Sequence, residues 1–402
     1  MVESMIKFNE LFHKGLEDLA RQDRLRVCRS LQRIGVGRVL CQQTGRELVD
    51  FSSSDYLGLC THPLLLERAM MYAQIDGSGS GASRVVTGLT AQMRSLEQRV
   101  ALLTAMPDAR IFPSGWQANA SLLPALGRLS LQQTGETATV FSDKLIHASL
   151  YHGCAAAGLR PVRFRHGDVA HLATLLAHCK SGGLRIVLTE SVFSMEGDQS
   201  DIMALRAVTQ QYNALLCVDE AHAIGVLGEN GAGIAVGLAD IIVGTFSKAL
   251  GSMGAFIASS KSACEWLDNT ASGAVFSTAL SPLLIGAIDA ALDLLPNMDQ
   301  ARHQIEVLSE RLRRHMRNGG VDIGASTTHI IPILVGKEDR AMALARLIER
   351  LGFLVVAIRP PTVPPNRCCL RVAVCAHHTL EQVDALAHAL LHARESGEEH
   401  GF

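Results

Sequence analysis

Short, wholly apolar runs alternate with amphipathic stretches along the middle of this chain. Runs at 185–189, 214–218 and 239–243 are separated by segments such as 200–212, where apolar positions recur at helical spacing. Strands that are apolar on both faces and alternate with helices predict an α/β fold with a mainly parallel sheet between helical layers, occupying residues 51–290. Residues 5–34 alternate apolar and charged positions with helical period, which predicts an amphipathic arm within residues 1–50. Another helix is expected from Met298, followed by strand candidates at 330–335, 353–358 and 369–375, so residues 291–402 read as a smaller C-terminal α+β domain. The polar tail Glu395–Phe402 is expected to fray.

Composition narrows the classes. The chain has 402 residues, 48% hydrophobic and 19% charged, enough for a substantial core. Its formal net charge of −2 gives no basic field for nucleic acid. Ten cysteines without a Cys-x-x-Cys or a regular framework, one of them (Cys217) inside an apolar run, point to a reducing cytoplasm. The first residues carry Glu3 and lack the apolar core and small-residue cleavage site of a secretory signal, and no apolar run reaches membrane-spanning length.

Candidate chemistry begins at Lys248, presented by Thr245-Phe-Ser-Lys248 straight after an apolar run. A desolvated lysine amine is nucleophilic and can hold the aldehyde of pyridoxal 5'-phosphate as a Schiff base. Asp219 closes a second run, where a carboxylate can pair with a protonated pyridine nitrogen. Both stand where α/β sheets bind ligands, beyond the carboxyl ends of strands. Ser114-Gly115-Trp116 opens a helical segment after Ile111-Phe-Pro113, and free first-turn amides there suit a phosphate. The glycine-rich Gly77–Arg84 lacks the Gly-Lys-Ser/Thr ending of a P-loop and is a weaker phosphate candidate. His147 is a candidate for stacking on a planar cofactor, and His222, three residues after Asp219, for its edge. His377-His378 reads as solvated, and no cluster has metal-ligand spacing.

Taken together, Ser54-Asp-Tyr-Leu-Gly-Leu59, Gly77-Ser-Gly-Ser-Gly-Ala-Ser-Arg-Val-Val-Thr-Gly88, His147-Ala-Ser149, Val192-Phe-Ser-Met-Glu-Gly-Asp198, Asp219-Glu-Ala-His222 and Thr245-Phe-Ser-Lys248 resemble, in order and spacing, the α-oxoamine synthases. The resemblance runs from about residue 10 to 393. It implies the pyridoxal-phosphate transferase fold of type I, with a seven-stranded sheet in the large domain, and a homodimer with shared sites. Within the family, Ile358-Arg-Pro-Pro-Thr-Val-Pro364 and Arg163–Leu172 are similar to the branch that makes 8-amino-7-oxononanoate for biotin from L-alanine and a pimeloyl thioester of coenzyme A or acyl carrier protein.

Roles then follow from the resemblance. Lys248 becomes the Schiff-base lysine and the base for the α-proton, Asp219 the partner of the ring nitrogen and His147 the stacking ring. His222 and Ser194 are expected near the phenolic oxygen, with His222 also serving the condensation. Ser114, Gly115, Trp116 and Thr245 are expected at the phosphate, with Ser277 and Thr278 reaching it from the neighbouring subunit. Arg371 is expected on the amino-acid carboxylate, and Arg26 and Arg359 on the acyl substrate. Ser54 stands where the family usually has asparagine, which loses reach and an amide's paired donor and acceptor. Three alternatives carry different marks. A sister synthase would use glycine or a longer acyl chain, an aminotransferase would release no carbon dioxide, and a non-catalytic partner subunit would lack the lysine that Lys248 supplies.

Overall fold

The computed structural model describes residues Val2–Glu395; most of the tail expected to fray lies outside the described residues. The chain divides into two compact units. One comprises Ser54–Ser194 and Asp198–Gln304; the other comprises the described residues up to Ser53, the short segment Met195–Gly197, and those from Ile305 onward.

The first unit is built on a seven-stranded sheet. Its spatial order is Asp108–Phe112, Ala255–Ser259, Ile241–Thr245, Leu215–Asp219, Arg185–Glu190, Thr139–Asp143 and Val162–Phe164. Only Ala255–Ser259 runs against its neighbours. The three apolar runs read from the sequence are the central strands, and the stretch 200–212 is helix Ile202–Gln211, capped by the Asp201 carboxylate on the Ala204 amide at 2.9 Å. These strands are buried on both faces, which is why they read as unbroken apolar runs. Leu122 and Leu126 of helix Gly115–Thr134, together with Leu150 and Leu267, fill the core against Ile186, Leu188 and Val243. Register sets Glu190 opposite Asp219 and Asp219 opposite Val243, so the polar strand ends stand at one level.

The second unit holds two smaller sheets. Ile330–Gly336, Cys368–Ala373 and Val356–Ile358 form an antiparallel sheet packed with helices Glu338–Arg350 and Leu380–Glu395. Leu31–Gly35, Arg38–Cys41 and Arg46–Asp50 form a meander, to which Phe353–Leu354 adds in parallel.

Three expectations change here. The helical pattern of 5–34 gives a helix only over Val2–Arg21, because Asp23 turns into the left-handed region (φ 53°) and the next residues lead into a strand. The run 353–358 is two strands in two sheets: Ser52 Oγ donates to the Leu354 carbonyl at 3.2 Å and accepts from the Val356 amide at 2.9 Å, where the chain changes sheets. His378 is buried rather than solvated. Its ring stacks on Phe51 at 3.9 Å and accepts from the Cys375 amide at 3.0 Å, with its other nitrogen 3.1 Å from the Asp50 carbonyl. Burial holds it neutral, far below its usual range, at about 3. Cys375, His377 and His378 have ligand atoms within 4.8 Å of one another, but both His378 nitrogens are engaged with the backbone, so the cluster is no ligand set.

Candidate active site

A cavity of about 240 Å³ opens at the carboxyl ends of the central strands. Lys248 follows Ile241–Thr245, Asp219 ends Leu215–Asp219, His147 caps the helix after Thr139–Asp143, and Ser114 caps the helix after Asp108–Phe112. Each strand thus delivers one functional group to a common end, as parallel sheets do.

Of the residues expected at a cofactor, Ser114, Gly115, Trp116, His147, Asp219, His222, Thr245 and Lys248 line this cavity. Lys248 Nζ lies 2.9 Å from His222 Nε2, and His222 Nδ1 lies 2.7 Å from the hydroxyl of the fully buried Tyr56. Asp219 accepts from the Ala221 amide at 2.9 Å on Oδ1 and from Asn119 Nδ2 at 2.8 Å on Oδ2. His147 is exposed by surface area, yet partial burial of the ring lowers its pKa, opposed by the attraction of Asp219 and aided by the repulsion of Lys248. Ser114 Oγ accepts from the Gln117 amide at 3.2 Å, which leaves the Gly115 and Trp116 amides at the helix start without intrahelical acceptors.

Other expected residues sit elsewhere. Ser194 lies in the turn after Arg185–Glu190 and is not among the lining residues; neither are Ser277 and Thr278, which follow the exposed Phe276. Ser54 is partly buried two residues before Tyr56. In the second unit, Arg371 is buried on Cys368–Ala373, opposite Pro332 and Val356. Arg26 donates to the carbonyls of Arg359 at 3.4 Å and Pro360 at 3.3 Å, while the Arg359 guanidinium donates to the Asp23 carbonyl. Burial and the neighbouring Arg26 charge lower the Arg359 pKa. Among the described residues neither arginine has a carboxylate partner, so the surface ion pairs that ordinarily explain such residues are missing here. The glycine-rich Gly77–Arg84 segment is anchored by the buried Arg84, which pairs with Glu97 at 2.6 Å and Asp268 at 2.8 Å.

Sequence reasoning passed over Tyr56, Asn119, Ser149, Glu190 and Ser247 as site residues. One signal was present: Asn119 stands four residues after Gly115, on the same face of a helix already assigned to phosphate. Thr245 also differs in detail. Its hydroxyl donates to the Gly254 carbonyl at 2.9 Å, so Ser247, exposed and 2.8 Å away, is the hydroxyl better able to turn toward an anion.

Comparison with known proteins adds independent findings. Over 401 residues the chain is 48% identical to the 8-amino-7-oxononanoate synthase of Gluconacetobacter diazotrophicus, covering 99% of this chain and 100% of that one. The chain belongs to the 8-amino-7-oxononanoate synthase family. Residues 46–390 match the wider family model, Aminotransferase class I and II. Among solved structures, serine palmitoyltransferase from S. paucimobilis with bound PLP aligns with a TM-score of 0.87 at 24% identity, covering 98% of each chain. The 8-amino-7-oxononanoate synthase of Francisella tularensis aligns at 0.74 and 24% identity, covering 88% of this chain and 98% of that one. These two likenesses speak to the fold, that of the type I pyridoxal-phosphate enzymes. The chain is a pyridoxal-phosphate-dependent acyltransferase of this family. No described helix is long and apolar enough to cross a membrane.

Proposed function

We propose that this enzyme condenses L-alanine with a pimeloyl thioester, releasing carbon dioxide and the thiol, to form 8-amino-7-oxononanoate for biotin synthesis. The single observation that carries the reading is a lysine amine, an imidazole and an oriented carboxylate around one cavity, in a chain 48% identical to a synthase of that name. The residues fit the cofactor: the cavity offers an amine for its aldehyde, a carboxylate for its ring nitrogen, and a helix start for its phosphate. Bound pyridoxal phosphate supplies an aldehyde for Schiff-base formation and a ring that accepts the electron pair released at the amino-acid Cα.

The chain's own groups do the rest. Asp219, held by Asn119 and the Ala221 amide, is oriented to pair with a protonated ring nitrogen. His147 offers its ring face, and the Gly115 and Trp116 amides, with Ser114, Thr245 and Ser247, offer phosphate contacts. Lys248, with its amine free, would be the base that takes the α-proton. The 2.9 Å contact to His222 gives that proton a route toward Tyr56, and His222 can serve the acyl step. We assign Arg371 to the amino-acid carboxylate, a bidentate task. Arg26 and Arg359, adjacent and, among the described residues, without a carboxylate at ion-pair distance, are assigned to the distal carboxylate of the pimeloyl chain. Ser194 is kept as a residue near the phenolic oxygen.

A homodimer with shared sites is part of this reading. Its support is the exposed apolar face of helix Val2–Arg21, carrying Phe8, Phe12, Leu16 and Leu19, and Phe276, 85% exposed beside Ser277 and Thr278. Ten cysteines with no regular disulfide framework support a reducing, cytoplasmic location. The direct test of the site is borohydride reduction of the purified protein, which should be yellow, followed by peptide mapping. The cofactor-derived adduct should sit on Lys248; an adduct on another lysine would displace the assignment.

A further inference from the structure

We propose that Asn119 and Ser149 are positioning residues that fix His147 as the neutral tautomer with its proton on Nε2 and tie it to Asp219. The inference rests on the reading of His147 and Asp219 as cofactor partners, but its geometry stands on its own.

Asn119 is buried on helix Gly115–Thr134, and its side-chain amine reaches two acceptors: Asp219 Oδ2 at 2.8 Å and Ser149 Oγ at 2.9 Å. The orientation of that amide is decided by Asp219, since the reverse orientation would set Asn119 Oδ1 against a carboxylate oxygen. Asn119 Oδ1 is left buried without a hydrogen-bond partner, so the amide gives up one contact to keep the other two. Ser149 Oγ, having received one proton from Asn119, has its own to give, and His147 Nδ1 lies 2.7 Å away. The Ser149 backbone amide points to the same nitrogen at 3.3 Å. A backbone N–H can only donate, and two donors converging on Nδ1 require its lone pair there, so the ring proton is on Nε2.

Donation therefore runs outward from Asn119 in both directions, to the carboxylate on one side and through Ser149 to the imidazole on the other. This gives one helix three duties. Its first turn would face the phosphate, its second turn aims the carboxylate, and through Ser149 it sets the stacking ring, so three contacts to the cofactor would be held at fixed spacing. A neutral His147 also does not compete as a cation for Asp219, whose charge would face the ring nitrogen.

The test is long-range proton–nitrogen NMR on protein with labelled histidine, recorded without cofactor and again with it bound. His147 is identified by the signal missing from His147→Asn. The wild type should show one neutral Nε2–H form in both states. Asn119→Ala and Ser149→Ala should each introduce the other tautomer or the charged form. With cofactor bound they should lower kcat by about 10–100-fold, the range seen when metal-bound histidines lose an outer partner, with KM for the amino acid changed less. A wild-type His147 protonated on Nδ1, or charged, overturns the proposal even if neither variant folds; so does an unchanged tautomer in both variants. The cofactor-free spectrum needs no reaction, so a failure of the tautomer assignment is distinct from a failure of the synthase reading.

Discussion

Asp219 receives one N–H on each carboxylate oxygen and keeps a lone pair on each for a ligand. Replacing it with Asn retains the shape but removes the charge that would face a protonated ring nitrogen. Losing one partner of a buried ion pair costs about 3–5 kcal/mol, so turnover of Asp219→Asn should fall roughly 10²–10⁴-fold. Cofactor occupancy, measured by absorbance, should fall much less because the phosphate and lysine contacts persist; near-normal turnover would remove Asp219 from its role. At this scale the sequence was most informative where a functional group ended a strand, as Asp219 does, or followed one closely, as Lys248 does. It was least informative for Tyr56 and Asn119. Their partners, His222 and Asp219, are 166 and 100 residues away, and no local spacing encodes such pairings.

Among elements, the loops beyond the strand ends are held by buried and half-buried titratable groups that the mechanism does not use. His166 bridges Asp143, with Nδ1 3.0 Å from Oδ1, and Asp198, with Nε2 2.8 Å from Oδ2, joining the end of Thr139–Asp143 to the turn that carries Ser194. Burial alone would lower its pKa, but the hydrogen bonds and charges of Asp143 and Asp198 win and raise it to about 10. A raised folded-state value means the stabilisation is complete below the ordinary pKa of about 6.5 and is lost as pH rises through about 10. Thermal denaturation from pH 6 to 10 should therefore show wild type losing more stability than His166→Gln over that range, with the variant less stable at pH 6. Parallel curves would show that His166 is not a charged clamp. Glu220 plays a related part: burial raises its pKa to about 7, against hydrogen bonds from Ser191, Ala235 and Ile234 that pin the following loop. Periodicity revealed the strands and helices around these loops because burial on two faces leaves an apolar run. It could not reveal the break at Val355, where the hydroxyl of distant Ser52 redirects the chain. Nor could it end the first helix at Arg21, because the left-handed turn at Asp23 interrupts a pattern that remains amphipathic beyond it.

For the whole molecule, the proposed account joins one site's chemistry to a second copy of the chain through Ser277 and Thr278. Mixing Lys248→Ala subunits with subunits altered at Ser277 and Thr278 should restore part of the activity, since one of the two sites in a heterodimer would then be intact. Exchange of subunits without any recovery would show that each site is complete within one chain. The paired Arg26 and Arg359 make a companion expectation: Arg26→Ala should slow a pimeloyl donor more than an uncharged acyl donor of equal length, whereas equal losses would leave the pair structural. The central claim is tested most directly by mass spectrometry of the product formed from L-alanine and a pimeloyl thioester, beside glycine and long-chain acyl controls. The account predicts 8-amino-7-oxononanoate with release of carbon dioxide, and slower turnover with glycine, whose missing methyl is worth about 1–3 kcal/mol in a fitted pocket. Faster turnover with glycine, a preference for a long uncharged acyl chain, or no condensation product from L-alanine would contradict it.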